Sequence, residues 1–230
     1  GLPSPEELEI LKPLQEKLPS EVFTQTYQAP TATGKGGMRG NLRRAMKLLK
    51  EAGWTVQKSQ LSKDGKPFQF EILLHQQSME RVVLPFTKNL ERLGIKASVR
   101  LVDASQYINR LRDFDFDMIV AGIGQSSSPG NEQRYFWHSS TADMPGSRNF
   151  AGINDPAIDA LVDLVIAAPD RASLVTRTRA LDRALLLQAM YAARISERTL
   201  TDCLAEQLER RESADDTAEF ATALSRKVIN

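Results

Sequence analysis

Apolar residues in the middle of the chain alternate between helical and strand spacing. Leu42, Ala45, Met46, Leu48 and Leu49 recur at three and four residues, predicting a helix that Asn41 caps and Gly53 ends. Extended chain follows at Trp54 and Val56, and Lys63-Asp64-Gly65-Lys66-Pro67 predicts a turn. Phe68, Phe70, Ile72 and Leu74 then alternate as a strand. Helical spacing returns with Met79, Val82, Val83, Phe86, Leu90 and Leu93, behind Ser78 as a cap and ahead of Gly94 as a stop. Residues 95–102 predict a second strand, with Ala97, Val99 and Leu101 on one face. Residues 105–112 predict a helix bearing Tyr107, Ile108 and Leu111, and residues 116–121 a third, buried strand. Strand, helix, strand, helix, strand predicts an α/β layer with a largely parallel sheet flanked by helices.

The ends differ from this centre. Residues 1–40 predict a peripheral segment, with a short helix over residues 6–18 broken at Pro13 and a turn-rich linker after it. Gly34-Lys35-Gly36-Gly37 lacks the Gly-Lys-Ser/Thr ending and the preceding strand of a phosphate loop, so it reads as linker. Asp155-Pro156 starts a helix with Ile158, Leu161, Val162 and Val165 on its face. Asp170 caps another that carries Leu174, Leu181 and Leu185. Residues 41–188 thus predict the α/β lobe. Residues 189–230 predict a charged helical tail, supported by Glu206 with Arg210, Leu204 with Leu208 and Phe220 with Leu224 at four-residue spacing.

Composition narrows the chemistry. With 230 residues, 41% hydrophobic and 26% charged, the chain is a folded protein of about one domain. Thirty basic against twenty-nine acidic residues leave a net charge of +1, giving no general attraction to nucleic acid or to anionic membranes. No apolar run is long enough to span a bilayer. The opening Gly1-Leu2-Pro3-Ser4-Pro5-Glu6 has neither the basic start nor the apolar core of a signal peptide, so for a protein that works outside the cytoplasm the targeting segment is expected upstream of Gly1. A single cysteine, Cys203, excludes an intramolecular disulfide, and with only His75 and His138 it cannot form a zinc cluster. His138 beside Ser139 and Ser140 has no accompanying oxyanion or orienting-acid pattern. Asp113, Asp115 and Asp117 read as a strand-entry turn rather than a metal site. No catalytic residue, metal or cofactor is assigned.

Residues 122–150 are where function is expected. They leave the carboxyl end of a predicted strand, where ligands sit in open α/β sheets, and the loop is longer than structure alone requires. Gly124-Gln125-Ser126-Ser127-Ser128 offers backbone amides and short hydroxyls without bulk. Behind it come Asn131, Glu132, Gln133, Arg134, Tyr135, Phe136 and Trp137.

The order of segments resembles the family 5 extracellular solute-binding proteins, the peptide-capturing subunits of ABC importers, and among them the YejA-like oligopeptide branch. The strings that carry the resemblance are Asn41-Leu42-Arg43-Arg44-Ala45 through Leu48-Leu49-Lys50-Glu51-Ala52-Gly53-Trp54, Pro85-Phe86 with Asn89-Leu90-Glu91-Arg92-Leu93-Gly94-Ile95, and Phe114-Asp115-Phe116-Asp117-Met118-Ile119-Val120. Ser128-Pro129-Gly130-Asn131-Glu132-Gln133-Arg134 and Pro145-Gly146-Ser147-Arg148-Asn149 complete the set. The resemblance implies the second lobe of a type II periplasmic binding protein that closes with a first lobe over a peptide and docks on membrane permease subunits. It also implies a partial chain, from a truncated or frame-shifted copy or an unusual member. The tail after Gln188 departs from the family's aromatic- and proline-containing return segment.

Peptide receptors gain affinity without sequence selectivity by pairing with the ligand backbone as if adding a strand. The expected contacts are Gln125, Ser126, Ser127 and Ser128. Arg134 and Arg148 are expected to pair with a ligand carboxylate, or alternatively with Glu132 or Asp143, and Asn149 contributes to ligand capture beside Arg148. Tyr135 and Trp137 either wall a pocket or anchor the loop. The resemblance implies an aspartate after this strand for the ligand amine. Gln125 and Ser126 stand there instead, leaving Asn131 or Glu132 as substitutes. Two other readings stay open: a small hydrolase-like α/β enzyme with its site at the same strand ends, and a remnant that self-associates through the former lobe interface.

Overall fold

The first strand of the parallel sheet explains most of what surrounds it. The computed structural model describes residues 1–26, 31–33 and 36–195, and residues Gly1–Gln188 form one compact unit. Strand β4 (Gln69–Leu74) is central, with β5 (Lys96–Leu101) parallel on one side and β6 (Met118–Ile119) parallel on the other. Register pairs Ile72 with Val99 and with Met118, so alternate residues of all three strands share a face. Helix α4 (Glu80–Glu91) packs against β5 on that face, where Ile72, Leu74 and Val83 form a buried cluster with Phe70, Met79, Ala97 and Val99 around it. The expected parallel α/β layer is present.

Several local expectations need correction. The third strand is not buried: β6 is two residues long, pairs only with β4, and leaves Met118 and Val120 about two-fifths exposed, because α4 lies over β5. On α4 only Val83 and Thr87 are buried, while Val82 and Phe86 face outward. Ile108 is likewise exposed on α5 (Ala104–Arg112), which Asp103 caps by accepting from Gln106 N–H. Asn41 does not cap helix α3, which starts four residues earlier and spans Gly37–Glu51. Its Nδ2 donates instead to the Thr31 carbonyl. Gly53 does end α3: it sits at φ +87°, with Trp54 N–H bonded back to the Leu49 carbonyl.

Between α3 and β4 the chain makes an antiparallel meander, β1 (Thr55–Gln57), β2 (Gln60–Lys63) and β3 (Lys66–Pro67). Lys58 and Ser59 both have positive φ, as does Asp64 with Gly65, so each corner is a tight hairpin turn. This meander meets the parallel layer at Gly94. Its carbonyl accepts from Leu61 N–H at 2.7 Å, and a Cβ there would lie 2.8 Å from that same nitrogen.

The first residues are not peripheral. Helix α1 (Pro5–Leu11) has Ser4 and Glu7 in a capping box, and α2 (Glu21–Thr24) follows. Leu11, Leu18 and Val22 are buried. The segment is held to helix α8 (Arg171–Ile195) by Arg183, whose guanidinium donates to the carbonyls of Gly1 and Gln25 and lies 3.5 Å from the Glu7 carboxylate. Before α8 comes α7 (Pro156–Ile166), capped by Asp155 as expected, with Ile158, Leu161, Val162 and Val165 all buried. Asp170 accepts from Ser173 N–H at the start of α8, and Arg177 reaches the Leu164 carbonyl at 2.7 Å. The linker glycine Gly34 with Lys35, and the tail pairs Leu204–Leu208, Glu206–Arg210 and Phe220–Leu224, lie outside the described residues.

Candidate ligand-binding site

Beyond β6 the chain runs without regular structure from Val120 to Gly130 and then forms helix α6 (Glu132–Trp137), which packs on α7. Among the described residues, the amides of Gly122, Ile123, Gly124, Gln125, Ser126 and Ser127 have no acceptor. Apart from the half-buried Ile123 these positions are exposed, and a Cβ built on Gly122 or Gly124 would meet nothing within 4 Å. Six consecutive solvated donors thus follow the end of a strand whose outer edge is unpaired among the described residues. Such a segment is ready to bond to another backbone.

The loop then folds back toward α8 and encloses a cleft of about 400 Å³. One wall is Ile123, Gln125, Ser126, Ser127 and Pro129; the other is the α8 face with Leu174, Val175, Leu181 and Leu185, and polar groups at Arg171, Thr178, Arg179 and Asp182. Arg171 ties the walls together by donating to the Ser127 carbonyl, with the Ser128 hydroxyl 3.5 Å away. Ser126 Oγ accepts from Ser128 N–H at 3.1 Å.

At the base of the loop is a residue that the sequence did not single out for a role. Gln133 is buried, donates to Gln125 Oε1 at 2.6 Å, and accepts from the Trp137 indole at 3.2 Å. Its i, i+4 relation to Trp137 on a short helix was the available signal. Trp137 therefore both walls the cleft and anchors the loop.

The remaining predicted residues hold the loop from behind. Glu132 accepts from Gly130 N–H at 2.8 Å, and that bond keeps its carboxyl below the ordinary glutamate range. Arg134 pairs with Asp163 on α7, neither of the partners expected for it, and both side chains are half exposed. Arg148 lies over the Phe136 ring, 5.3 Å from its centroid, and reaches the Gly122 carbonyl at 3.4 Å. The Tyr135 hydroxyl donates to the Gly146 carbonyl. Asn131 precedes α6 without a side-chain cap bond. Asn149 is not a surface contact at all: it is fully buried, donates to the carbonyls of His138 and Ile153, and accepts from Ile153 N–H. A short residue in a Pro-Gly-rich run reads as surface, but here it serves as a turn bracket.

Two clusters with catalytic or metal appearance have other partners. His138 Nδ1 accepts from Ser140 N–H, and the Ser139 hydroxyl donates to Asp159 at 2.5 Å rather than to the imidazole. Asp115 pairs with Arg110 at 2.8 Å, and Asp117 accepts from Glu71 N–H at 2.9 Å.

An exposed main-chain segment at the end of a parallel sheet, with a hydroxyl-rich loop closing a cleft beside it, leaves backbone donors open to another chain. The chain belongs to the bacterial extracellular solute-binding proteins, family 5, whose model matches residues 11–145. Over 188 residues it is 48% identical to a protein of Agrobacterium fabrum named "Probable peptide-binding protein YejA", covering 81% of this chain and 31% of that one. It is 35% identical to the peptidoglycan-binding protein YepA of the same organism over 181 residues, 78% of this chain and 29% of that protein. The fold matches the oligopeptide-binding protein AppA from Bacillus subtilis at a TM-score of 0.54 and 21% identity, covering 77% of this chain and 36% of that one. The chain thus spans less than a third of the length of these curated relatives.

Proposed function

We propose that this chain forms the peptide-facing wall of one lobe of a periplasmic receptor that delivers peptides to an ABC importer. The six unpaired amides from Gly122 to Ser127 carry the reading. A peptide laid along them would gain main-chain hydrogen bonds whatever its side chains, and the cleft between the loop and α8 would take one side chain against Leu174, Val175 and Leu181. Gln125, Ser126 and Ser127 face the ligand in this reading. Glu132, Arg134, Tyr135, Arg148 and Asn149 keep the loop in shape. The chain acts by binding, with no covalent step and no cofactor.

Capture in such a receptor takes a second surface, because closing two lobes excludes water from the ligand and strengthens every polar contact to it. Alone, this lobe binds peptide weakly, with a Kd on the order of a millimolar or higher. Permease subunits are the partners expected for the closed form.

The test is an amide NMR titration of the full chain with an alanine tripeptide and, separately, with a peptidoglycan stem peptide. The reading predicts shift changes at Gly122–Ser127 and on the cleft face of α8 with at least one of them, without saturation at low millimolar concentration. Changes confined to another surface, or none with either peptide, would overturn it. Saturation at micromolar concentration would refute the need for a second lobe.

A further inference from the structure

Helix α3 presents a charge pattern that the peptide site does not use. None of its residues is fully buried. Leu42, Ala45, Met46 and Leu49 form a half-buried stripe toward the protein, and the cations stand beside it on the exposed surface. At 100° per residue, Arg39, Lys50, Arg43 and Lys47 fall within a sector of about 80°, and from Arg39 to Lys50 the row runs about 16 Å along the axis. Arg44 extends it around the helix.

These charges are poorly balanced on their own helix. The one acid on α3 is Glu51, which pairs with Lys47 at 3.6 Å, both side chains being exposed. Arg39, Arg43, Arg44 and Lys50 have no carboxylate partner among the described residues. By contrast α4, whose Arg81 and Lys88 also lack a carboxylate partner among the described residues, carries Glu80 and Glu91 on the same helix. In a chain of net charge +1, α3 therefore carries five cations against one acid.

We propose that this ridge docks the protein on an anionic lipid bilayer. A row of guanidinium and ammonium groups on an exposed helix surface matches many phosphates spread over a plane better than one compact anion. Each Lys or Arg near such a surface raises partitioning by about fivefold. The half-buried apolar stripe stays with the protein, so the attachment is peripheral, electrostatic and reversible by salt. It is independent of the peptide site and would hold the protein near membrane-embedded partners.

Flotation of the full chain with vesicles of phosphatidylglycerol and phosphatidylcholine, against phosphatidylcholine alone, tests this directly. Binding is expected to the anionic vesicles only, and to vanish in about 0.5 M salt. The triple variant Arg39→Gln/Arg43→Gln/Lys47→Gln changes exposed side chains and should lose on the order of a hundredfold in partitioning while melting like the parent. A control removing the same charge from α4 and the residue that caps it, Arg81→Gln/Lys88→Gln/Arg92→Gln, should keep most of it. No binding to anionic vesicles, salt-insensitive binding, or equal losses in the two variants would overturn the proposal. A ridge that serves an acidic protein or a nucleic acid instead would show itself by the first of these.

Discussion

Arg171, the first residue of α8, donates its guanidinium to the main-chain carbonyl of Ser127. The contact joins positions 44 residues apart and closes one end of the cleft. Replacing Arg171 with alanine removes a charge-assisted bond worth about 1–3 kcal/mol to the loop but little to the core, since the side chain is exposed. Amide exchange at residues 125–129 should accelerate while the global melting temperature stays close to that of the parent. Peptide-induced shifts should weaken by about fivefold.

Gln133 makes a second tie, to Gln125 and Trp137 at once. In Gln133→Leu the half-buried indole N–H and the exposed Gln125 amide lose their partner, and losing such hydrogen bonds costs about 1 kcal/mol. Urea denaturation should show a loss of that size, with the Trp137 indole proton exposed to exchange.

Gly94 tests the joint between the meander and the parallel sheet. It holds φ +82°, and a Cβ would approach the Leu61 nitrogen to 2.8 Å while that nitrogen bonds the Gly94 carbonyl. Backbone cannot yield as a flexible side-chain tip does. Gly94→Ala should therefore destabilise by about 2 kcal/mol or more, read as a lower urea midpoint at unchanged slope.

These joints show which parts of the molecule the sequence could reveal. Asp155-Pro156 gave a helix start correctly because cap and first-turn chemistry are local, and the apolar alternation at residues 68–74 gave the central strand for the same reason. The hairpin at Lys58-Ser59 escaped notice because neither residue belongs to the usual glycine or asparagine turn pairs, although both adopt positive φ. The third strand reads as buried from its apolar run, but its exposure depends on where α4 lies, which no short-range pattern encodes. Similarly, the loop of the candidate site could be located, but its opposing wall could not: Leu174, Val175 and Leu181 read as an ordinary helix face until long-range packing sets them opposite the serines.

Acid should loosen the loop through Glu132. The Gly130 N–H bond lowers its folded pKa below the ordinary value of 4.5, so the ionised form stabilises the loop at neutral pH. That contribution is fully present above the ordinary value and is lost as pH falls through the lowered one. The Gly130 amide shift should follow this titration, with its midpoint below 4.5. In Glu132→Gln the amide should show no such step; an unchanged step would assign the effect to another group.

Main-chain pairing at Gly122–Ser127 is tested most directly by blocking it from the ligand's side. An alanine tripeptide and its backbone N-methylated counterpart carry the same side chains and carbonyl acceptors, but the methyl groups of the second stand in the way of its backbone lying flat along the loop amides. Compared by amide NMR on the full chain, the unmodified tripeptide should perturb Gly122, Gly124 and Ser126, and methylation should weaken that response by about tenfold or more. Equal responses to both peptides would mean that the ligand does not lie along the loop amides.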